Sequence, residues 1–387
     1  MHPLLALALV LIAGIGVTRL SRPPLRRSAP LDELLATGAP FLLFGLLLGP
    51  GLGVVDTAGL RVLYPVLALG IGWVGALYGA RLEWGMVRRV SRRTWFIGAT
   101  LALPVLATTA VTAWVLAHAL PPLADSWGHP SLAVALALAG AVTTAASQRG
   151  PRLGRRNALL DTAFGAAAVV LAIAFSRPHL AVRSLLLTLV SGCGLGGVFI
   201  PLARALPDPG EASVPAFALI LWGAGFSYAA GLPPFVVCAL EAAVMVSLSP
   251  PTMRRALTEL LSRWARPLYA AFLIIAGALL HSWSVWIIVA ALALAVIRVL
   301  VRWGTVRLGI DQVDPVWRSL ASDAPPPREF ASAALRQGAS AVALAAGFDL
   351  VRGGSAVLVT ILLSVMAGEA IATLPPLTAS PRRAEVS

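Results

Sequence analysis

The chain has 387 residues, of which 58% are apolar and only 12% are charged, and its mean hydropathy is +0.85. Soluble domains carry about 25% charged residues, so this composition excludes a soluble globular protein and favours a polytopic α-helical membrane protein. The net charge of +13 comes from arginines, because no lysine occurs; they cluster in short segments between apolar runs, which indicates membrane topology rather than nucleic-acid binding.

About thirteen apolar segments have the length and composition of membrane-spanning helices. In chain order they are predicted over residues 3–20, 33–50, 60–80, 95–119, 131–148, 157–175, 181–204, 213–230, 232–249, 267–281, 283–303, 328–347 and 353–374. We expect one transmembrane domain over residues 1–376. A Pro-rich cytoplasmic linker is expected at 304–327 inside that domain, and a short cytoplasmic tail at 377–387.

The arginines predict the orientation of the chain. Alternate connections are rich in arginine, whereas the connections between them hold only Arg61, Arg177, Arg183 and Arg352. Because positively charged loops remain in the cytoplasm, we expect the N-terminus outside and the C-terminus inside, in a cell (inner) membrane. This orientation requires an odd number of spans, in agreement with thirteen.

Three carboxylates fall well inside predicted spans: Asp161, Glu241 and Glu369. An ionised group there costs about 3 kcal/mol on insertion scales, so each is expected to face the bundle interior or a water-filled cavity. Asp161 has an alternative role as an interfacial carboxylate stabilised by the dipole at its helix start. Glu241 has either a functional role or a structural ion pair, and for Glu369 we favour a structural role.

Two basic residues also interrupt apolar spans, Arg298 and Arg336. A buried guanidinium requires a carboxylate or a backbone carbonyl as its partner. We therefore expect Arg298 to face the interior and to pair with Asp161 or a neighbouring carboxylate. The alternative for Arg298 is a side chain extended toward the cytoplasmic membrane surface.

Two spans carry signals of a broken helix. "LAGAVTTAASQRG" places Thr143, Thr144 and Ser147 in one half of a span, and "ALRQGASAVA" places Gln337 and Gly338 in the middle of another. Interrupted spans at corresponding positions of two halves are typical of a transporter's binding site and predict two inverted-topology repeats. The alternative is that the hydroxyls simply bond to carbonyls of their own helix.

No cofactor is expected. "SGCGLGG" fits a dinucleotide-binding pattern but lies inside an apolar span with no preceding strand. The connections lack clustered carboxylates and His/Cys sets, so an enzyme is not expected either.

Several stretches resemble the monovalent cation:proton antiporter-2 family in order and spacing over residues 30–375. They are "FLLFGLLLGPGLGVVD", "LALGIGWVGALYGARLEW", "AGAVTTAAS", "LLDTAFGAAAVVL", "GLPPFVVCALEAAVMVSLSP", "AVIRVLV" and "RQGASAVALAAGF". The resemblance implies an all-α antiporter-like fold with two inverted repeats, crossed broken helices and a homodimer. It also implies exchange of a monovalent cation, Na⁺ or K⁺, for protons.

The resemblance further implies roles for individual residues. Asp161 would bind the cation or the proton, with oxygen ligands from Thr143 and Thr144, as hard cations prefer. Accessory or ion-pair roles fall to Arg298, Glu241 and Gln337. Since arginine keeps its proton, one titrating carboxylate implies electroneutral exchange.

Two departures from the family pattern motivate an alternative. Leu160 stands where the family usually has a polar residue, and the "GEF" common after the second break reads "GAS" here. The alternative is a degenerate antiporter-fold protein that binds a small organic ligand or acts as a membrane scaffold.

Overall fold

The protein is all-helical in the part of the chain that its structure, a computed structural model, describes: residues 39–51, 57–82, 84–89, 92–128, 131–145, 152–206, 211–279, 284–320, 337–352 and 356–373. These residues form fourteen α-helices and no strand. The helices are α1 (Ala39–Leu46), α2 (Thr57–Gly79), α3 (Trp84–Arg89), α4 (Arg92–Ala119), α5 (Pro121–Ser126), α6 (Leu132–Thr143), α7 (Arg152–Ser176), α8 (Ala181–Arg204), α9 (Ser213–Ala229), α10 (Pro234–Leu248), α11 (Pro251–Ala278), α12 (Val285–Leu320), α13 (Ala339–Arg352) and α14 (Ala356–Thr373).

The helices agree with most of the predicted spans. Four of them are long and apolar enough to cross a membrane, and these lie in α4, α7, α8 and α12. Six shorter apolar helices accompany them in the described residues. The predicted span 3–20, Ser147, Arg336 and the side chain of Glu369 lie outside the part of the chain that is described.

The helices pack as two bundles. The α6–α7 bundle contains α4, α6, α7, α12, α13 and α14, and the α2–α10 bundle contains α1, α2, α8, α9, α10 and α11. The bundles meet where α13 packs on α2 and α10 and where α7 packs on α8.

Small residues bring helices of the α2–α10 bundle into close contact. Gly75 and Gly79 of α2 face the backbone carbonyls of Phe235 and Ala239 on α10, and a Cβ atom at either glycine would overlap that backbone. Small residues at a helix crossing allow the backbones to approach, which is how helices associate where lipid weakens the hydrophobic effect.

The helix α6 is too short to span a membrane. Its 12 residues begin at the N-cap Ser131, whose side chain accepts a hydrogen bond from the Val134 amide, and end at Thr143. Thr144 is extended, with φ −61° and ψ 147°. At about 1.5 Å per residue the helix covers about 18 Å, well below a hydrocarbon core of about 30 Å. The predicted break therefore occurs at Thr144.

Two polar segments expected to be connections are helical instead. The basic cluster Arg254–Arg266 lies in α11, which begins at Pro251, well before the predicted span 267–281. Likewise α12 continues to Leu320, so residues 304–320 of the expected linker are helical. Hydropathy indicates which part of a helix lies in lipid, whereas the backbone hydrogen bonds of the helix continue into its polar part. In the polar part of α11, Glu259 and Arg263 form an exposed i,i+4 ion pair, 3.9 Å apart.

Candidate functional site

The site is centred on Asp161 of α7, whose side chain is completely buried. Arg302 of α12 forms an ion pair with it, because the guanidinium Nη2 donates to the carboxylate Oδ2. The Nη1 atom of Arg302 also donates to the Leu101 carbonyl of α4, at 3.2 Å. One guanidinium thus joins α4, α7 and α12, and it compensates the charge of a carboxylate that would be costly to bury alone.

The prediction that Arg298 pairs with Asp161 names the wrong arginine. Arg298 does face the interior, where it is 1% exposed. Its Nε donates to the Val142 carbonyl at 2.8 Å and its Nη2 to the Thr144 carbonyl at 3.2 Å. These are carbonyls at the C-terminal end of α6, which carries partial negative charge and has no intrahelical donors left. The guanidinium of Arg298, which was predicted to pair with Asp161, therefore binds the C-terminal end of α6.

The end of α6 and the start of α13 meet at this point. Gln337, in the non-helical segment just before α13, donates from its Nε2 to the same Val142 carbonyl, at 2.9 Å. The C-terminal end of α6 and the N-terminal end of α13 therefore lie together. Such meeting helix ends are the arrangement expected of two inverted repeats with crossed broken helices.

The hydroxyls of Thr143 and Thr144 are both buried at the end of α6. Thr143 Oγ1 donates to the Ala139 carbonyl at 2.7 Å, and Thr144 Oγ1 to the Ala141 carbonyl at 2.9 Å. This is the local bonding considered as the alternative, yet a hydroxyl that donates its proton keeps lone pairs for a cation. The Thr144 methyl lies against Gly165, one turn after Asp161 on α7.

The position of Leu160 explains why an apolar residue stands beside Asp161. It is 7% exposed and packs against Gly98 of α4. The residue that replaces the family's polar side chain therefore contributes to helix packing beside the site.

Glu241 lies in the α2–α10 bundle, apart from Asp161. It is completely buried beside Gly223 of α9, and its two carboxylate oxygens have no hydrogen-bond partner among the described residues. Its carbonyl lies against Gly196 of α8, and its carboxylate makes no hydrogen bond with Thr143, Thr144 or Arg302.

Arg302 is not among the site residues predicted from the sequence, because it stands at the end of an apolar run, where an arginine ordinarily sets the topology. The signal was present: Arg298 and Arg302 are four residues apart, so they lie on one face of α12. Tyr78 of α2 was also missed. Its hydroxyl donates to the Leu159 carbonyl at 2.8 Å, which links the α2–α10 bundle to α7 two residues before Asp161.

The comparisons with known proteins support the fold. The solved structure of the sodium proton antiporter MjNhaP1 from Methanocaldococcus jannaschii is similar, with a TM-score of 0.62, over 96% of this chain and 99% of that one. The two sequences are 13% identical, so the likeness concerns the fold. No protein-family model and no curated protein matches the chain. The described residues thus form an all-α polytopic membrane protein with an antiporter-like fold, as predicted.

Proposed function

We propose that this protein is a secondary transporter that exchanges a monovalent cation, Na⁺ or K⁺, for protons at Asp161. The observation that carries the proposal is a buried carboxylate beside the point where the end of α6 meets the start of α13. Transporters with crossed broken helices place their substrates at such meeting helix ends. The antiporter fold supports the same class of activity.

In this mechanism three positive species compete for one carboxylate. Arg302 holds Asp161 when neither substrate is bound. A proton neutralises the carboxylate and releases the guanidinium. A cation displaces Arg302 by binding the carboxylate together with oxygens of Thr143 or Thr144. Because Asp161 cannot hold the proton and the cation at once, each substrate expels the other.

The proposed exchange is electroneutral. The guanidinium groups of Arg298 and Arg302 remain protonated throughout, so Asp161 is the group that changes its charge in this site. Its carboxylate is neutralised once in each half of the cycle, by one proton or by one monovalent cation. One cation therefore moves for each proton.

We also propose the assignments that accompany this function. The order and spacing of the quoted stretches favour the antiporter-2 group within the broader antiporter fold. The chain would lie in a cell (inner) membrane as a homodimer, with its N-terminus outside and its C-terminus in the cytoplasm.

One observation favours the second candidate, a degenerate antiporter-fold protein that binds a small organic ligand or serves as a scaffold. Two guanidinium groups, those of Arg298 and Arg302, lie around the carboxylate of Asp161. Among the described residues of the site, the positive charges then outnumber the negative one, which opposes cation entry. In this alternative Asp161 stays paired with Arg302 and has only a structural role.

Cation-dependent proton flux in everted vesicles and proteoliposomes tests the proposal. The wild type should respond to Na⁺, K⁺ or Li⁺, and Asp161→Asn should lose the response, because Asn cannot titrate but still offers Arg302 an acceptor oxygen. Asp125→Asn, an exposed carboxylate on α5, is the matched control and should retain full flux. Melting temperatures and protein levels are compared for all variants.

The outcomes separate the candidates. Full flux in Asp161→Asn combined with its loss in Glu241→Gln transfers the role to Glu241. No flux in the wild type with any of the three cations favours the degenerate protein, in which Asp161→Asn only lowers the melting temperature.

A further inference from the structure

A cavity of about 350 Å³ lies at the opposite end of the α6–α7 bundle from Asp161. The start of α6 and the ends of α7 and α13 form its wall. Ile173, one of the lining residues, follows Asp161 by 12 residues on α7, or about 18 Å along the helix axis. The cavity is therefore separate from the exchange site, and an occupant would touch the same three helices at their other ends.

Two arginines line this cavity, Arg177 and Arg352, and no carboxylate is among its lining residues. Among the described residues, each guanidinium donates one hydrogen bond to a backbone carbonyl. Arg177 Nη2 donates to the Val351 carbonyl at 2.7 Å, and Arg352 Nη2 donates to the Gly128 carbonyl at 2.7 Å. The Nη1 atom of Arg352 is buried and has no hydrogen-bond partner among the described residues. Two oriented guanidinium groups thus retain donors beyond those that fix them.

Asp349, an acid close to Arg352, makes its hydrogen bond outside the cavity. Asp349 lies one turn before Arg352 on α13, and its Oδ2 accepts a hydrogen bond from the Leu358 amide at 2.7 Å. It stabilises the start of α14 and does not line the cavity. Asp349 partly offsets the charge of Arg352 from outside the cavity, and no carboxylate among the lining residues offsets the two positive charges inside it.

The rest of the wall adds a helix N-terminus and an apolar surface. Leu132 and Ala133 carry the first amides of α6, which have no intrahelical acceptor, and both line the cavity. Phe348 and Phe175 contribute apolar surface. A volume of about 350 Å³ lies at the lower end of the range of small-ligand pockets, about 300–1,000 Å³.

We propose that this cavity binds a small amphipathic anion. Its carboxylate or phosphate group would accept hydrogen bonds from Arg177 and Arg352. A planar guanidinium can donate two parallel hydrogen bonds to either kind of group. Its apolar part would contact Phe348 and Phe175. The anion comes either from solution, as an organic carboxylate, or from the membrane, as a lipid phosphate. The proposal is independent of cation exchange at Asp161.

Binding to the purified full chain tests this site. In a maltoside detergent at constant ionic strength, benzoate is titrated by calorimetry, with inorganic phosphate as a second probe that lacks the apolar part. Benzoate should bind the wild type and raise its melting temperature. Arg352→Gln or Arg177→Gln should weaken binding about tenfold to a hundredfold, the usual effect of a lost hydrogen bond to a charged group. Arg183→Gln removes an exposed positive charge near the start of α8, outside the cavity, and should bind like the wild type.

A second arm uses phosphatidylglycerol, added to the detergent or supplied in nanodiscs. The anion is assigned to a lipid headgroup if benzoate does not bind and the lipid raises the melting temperature of the wild type. This stabilisation should then disappear in Arg352→Gln but persist in Arg183→Gln. Arg352→Lys keeps the charge without the fork and should show intermediate affinity, which covers the case that the Gln variant does not fold. Equal binding in all variants, or no response in either arm, overturns the proposal.

Discussion

Arg298 and Arg302 lie one turn apart on α12, and each compensates a different buried negative charge. Arg298 donates to carbonyls at the end of α6, where the aligned peptide dipoles amount to roughly half a negative charge. Arg302 compensates the full charge of Asp161. The first contact holds a broken helix in place, and the second is the one that a proton or a cation replaces in the proposed cycle.

Replacing Arg302 with Gln should destabilise the protein in a pH-dependent way. Removing one member of a buried pair costs on the order of 3 kcal/mol, because it leaves a buried charge uncompensated. Protonation of Asp161 removes that charge, so the loss of melting temperature should be large at alkaline pH and should shrink as the pH falls. Thermal melting of the purified variant across a pH series measures this.

The control is Arg302→Lys, which keeps the charge and should recover part of the loss at alkaline pH. A deficit of the same size at every pH would mean that Arg302 contributes packing and not an ion pair.

At the level of residues, the sequence predicts which groups are buried better than which groups pair. Asp161, Glu241 and Arg298 are buried as predicted, because burial follows from the apolar run around each. The partner of Asp161 was not predictable with the same rule. Both arginines of α12 face the bundle, and the choice depends on where α6 ends against them, which is a contact between distant parts of the chain.

At the level of elements, α6 is held against α7 by two glycines. Gly140 and Gly165 face each other's backbone, and a Cβ atom at Gly140 would lie 2.6 Å from the Gly165 carbonyl oxygen. The close approach places the end of α6, with Thr144, beside the turn of α7 that carries Asp161. The geometry of the site thus depends on glycine at positions 140 and 165, because a Cβ atom at either position would overlap the facing backbone.

Gly140→Ala should therefore lower both stability and transport. The methyl group cannot be accommodated without moving the helices apart, and overpacking of this kind costs about 1–3 kcal/mol. Thermal melting and cation-dependent proton flux measure the two effects.

Gly194→Ala on α8 is the matched control, because nothing lies within 4 Å of a Cβ atom there. It should leave melting and flux unchanged or slightly improve stability, since alanine favours a helix. Equal behaviour of the two variants would contradict a role for the α6–α7 contact.

The apolar runs predict most helices of the membrane part to within a few residues. The predicted spans 181–204 and 213–230 correspond to Ala181–Arg204 and Ser213–Ala229. The prediction fails where a helix continues into polar sequence, as in α11 and α12, and for the short α3 and α5, because hydropathy reports the surrounding phase and not the backbone conformation.

At the level of the whole molecule, two bundles share a limited contact. The helix α13 crosses from the site to α2 and α10, and the Tyr78 hydroxyl joins α2 to the Leu159 carbonyl of α7. In the proposed cycle one bundle rocks against the other around Asp161. The sequence alone indicates two halves through the paired breaks, but it does not indicate which helices form each bundle, because those contacts join distant parts of the chain.

The proposed orientation gives a prediction for the whole chain. A reporter fused after Ser387 should be active in the cytoplasm, because the arginine-rich connections stay on that side. A second fusion within 304–320 should also report the cytoplasm, whereas one near Arg177 should report the outside. A periplasmic signal from the reporter after Ser387 would contradict the proposed topology.

Proton release on cation addition tests most directly whether one carboxylate serves both substrates. Purified protein in weakly buffered detergent is mixed with Na⁺ or K⁺ at a series of pH values, and a pH-sensitive dye reports the protons set free. Competition at Asp161 predicts release that approaches one proton per bound cation at acidic pH and vanishes at alkaline pH, with cation affinity that weakens as the pH falls. Asp161→Asn should release none. Cation binding without proton release at any pH, or equal release from Asp161→Asn, would contradict exchange at this carboxylate.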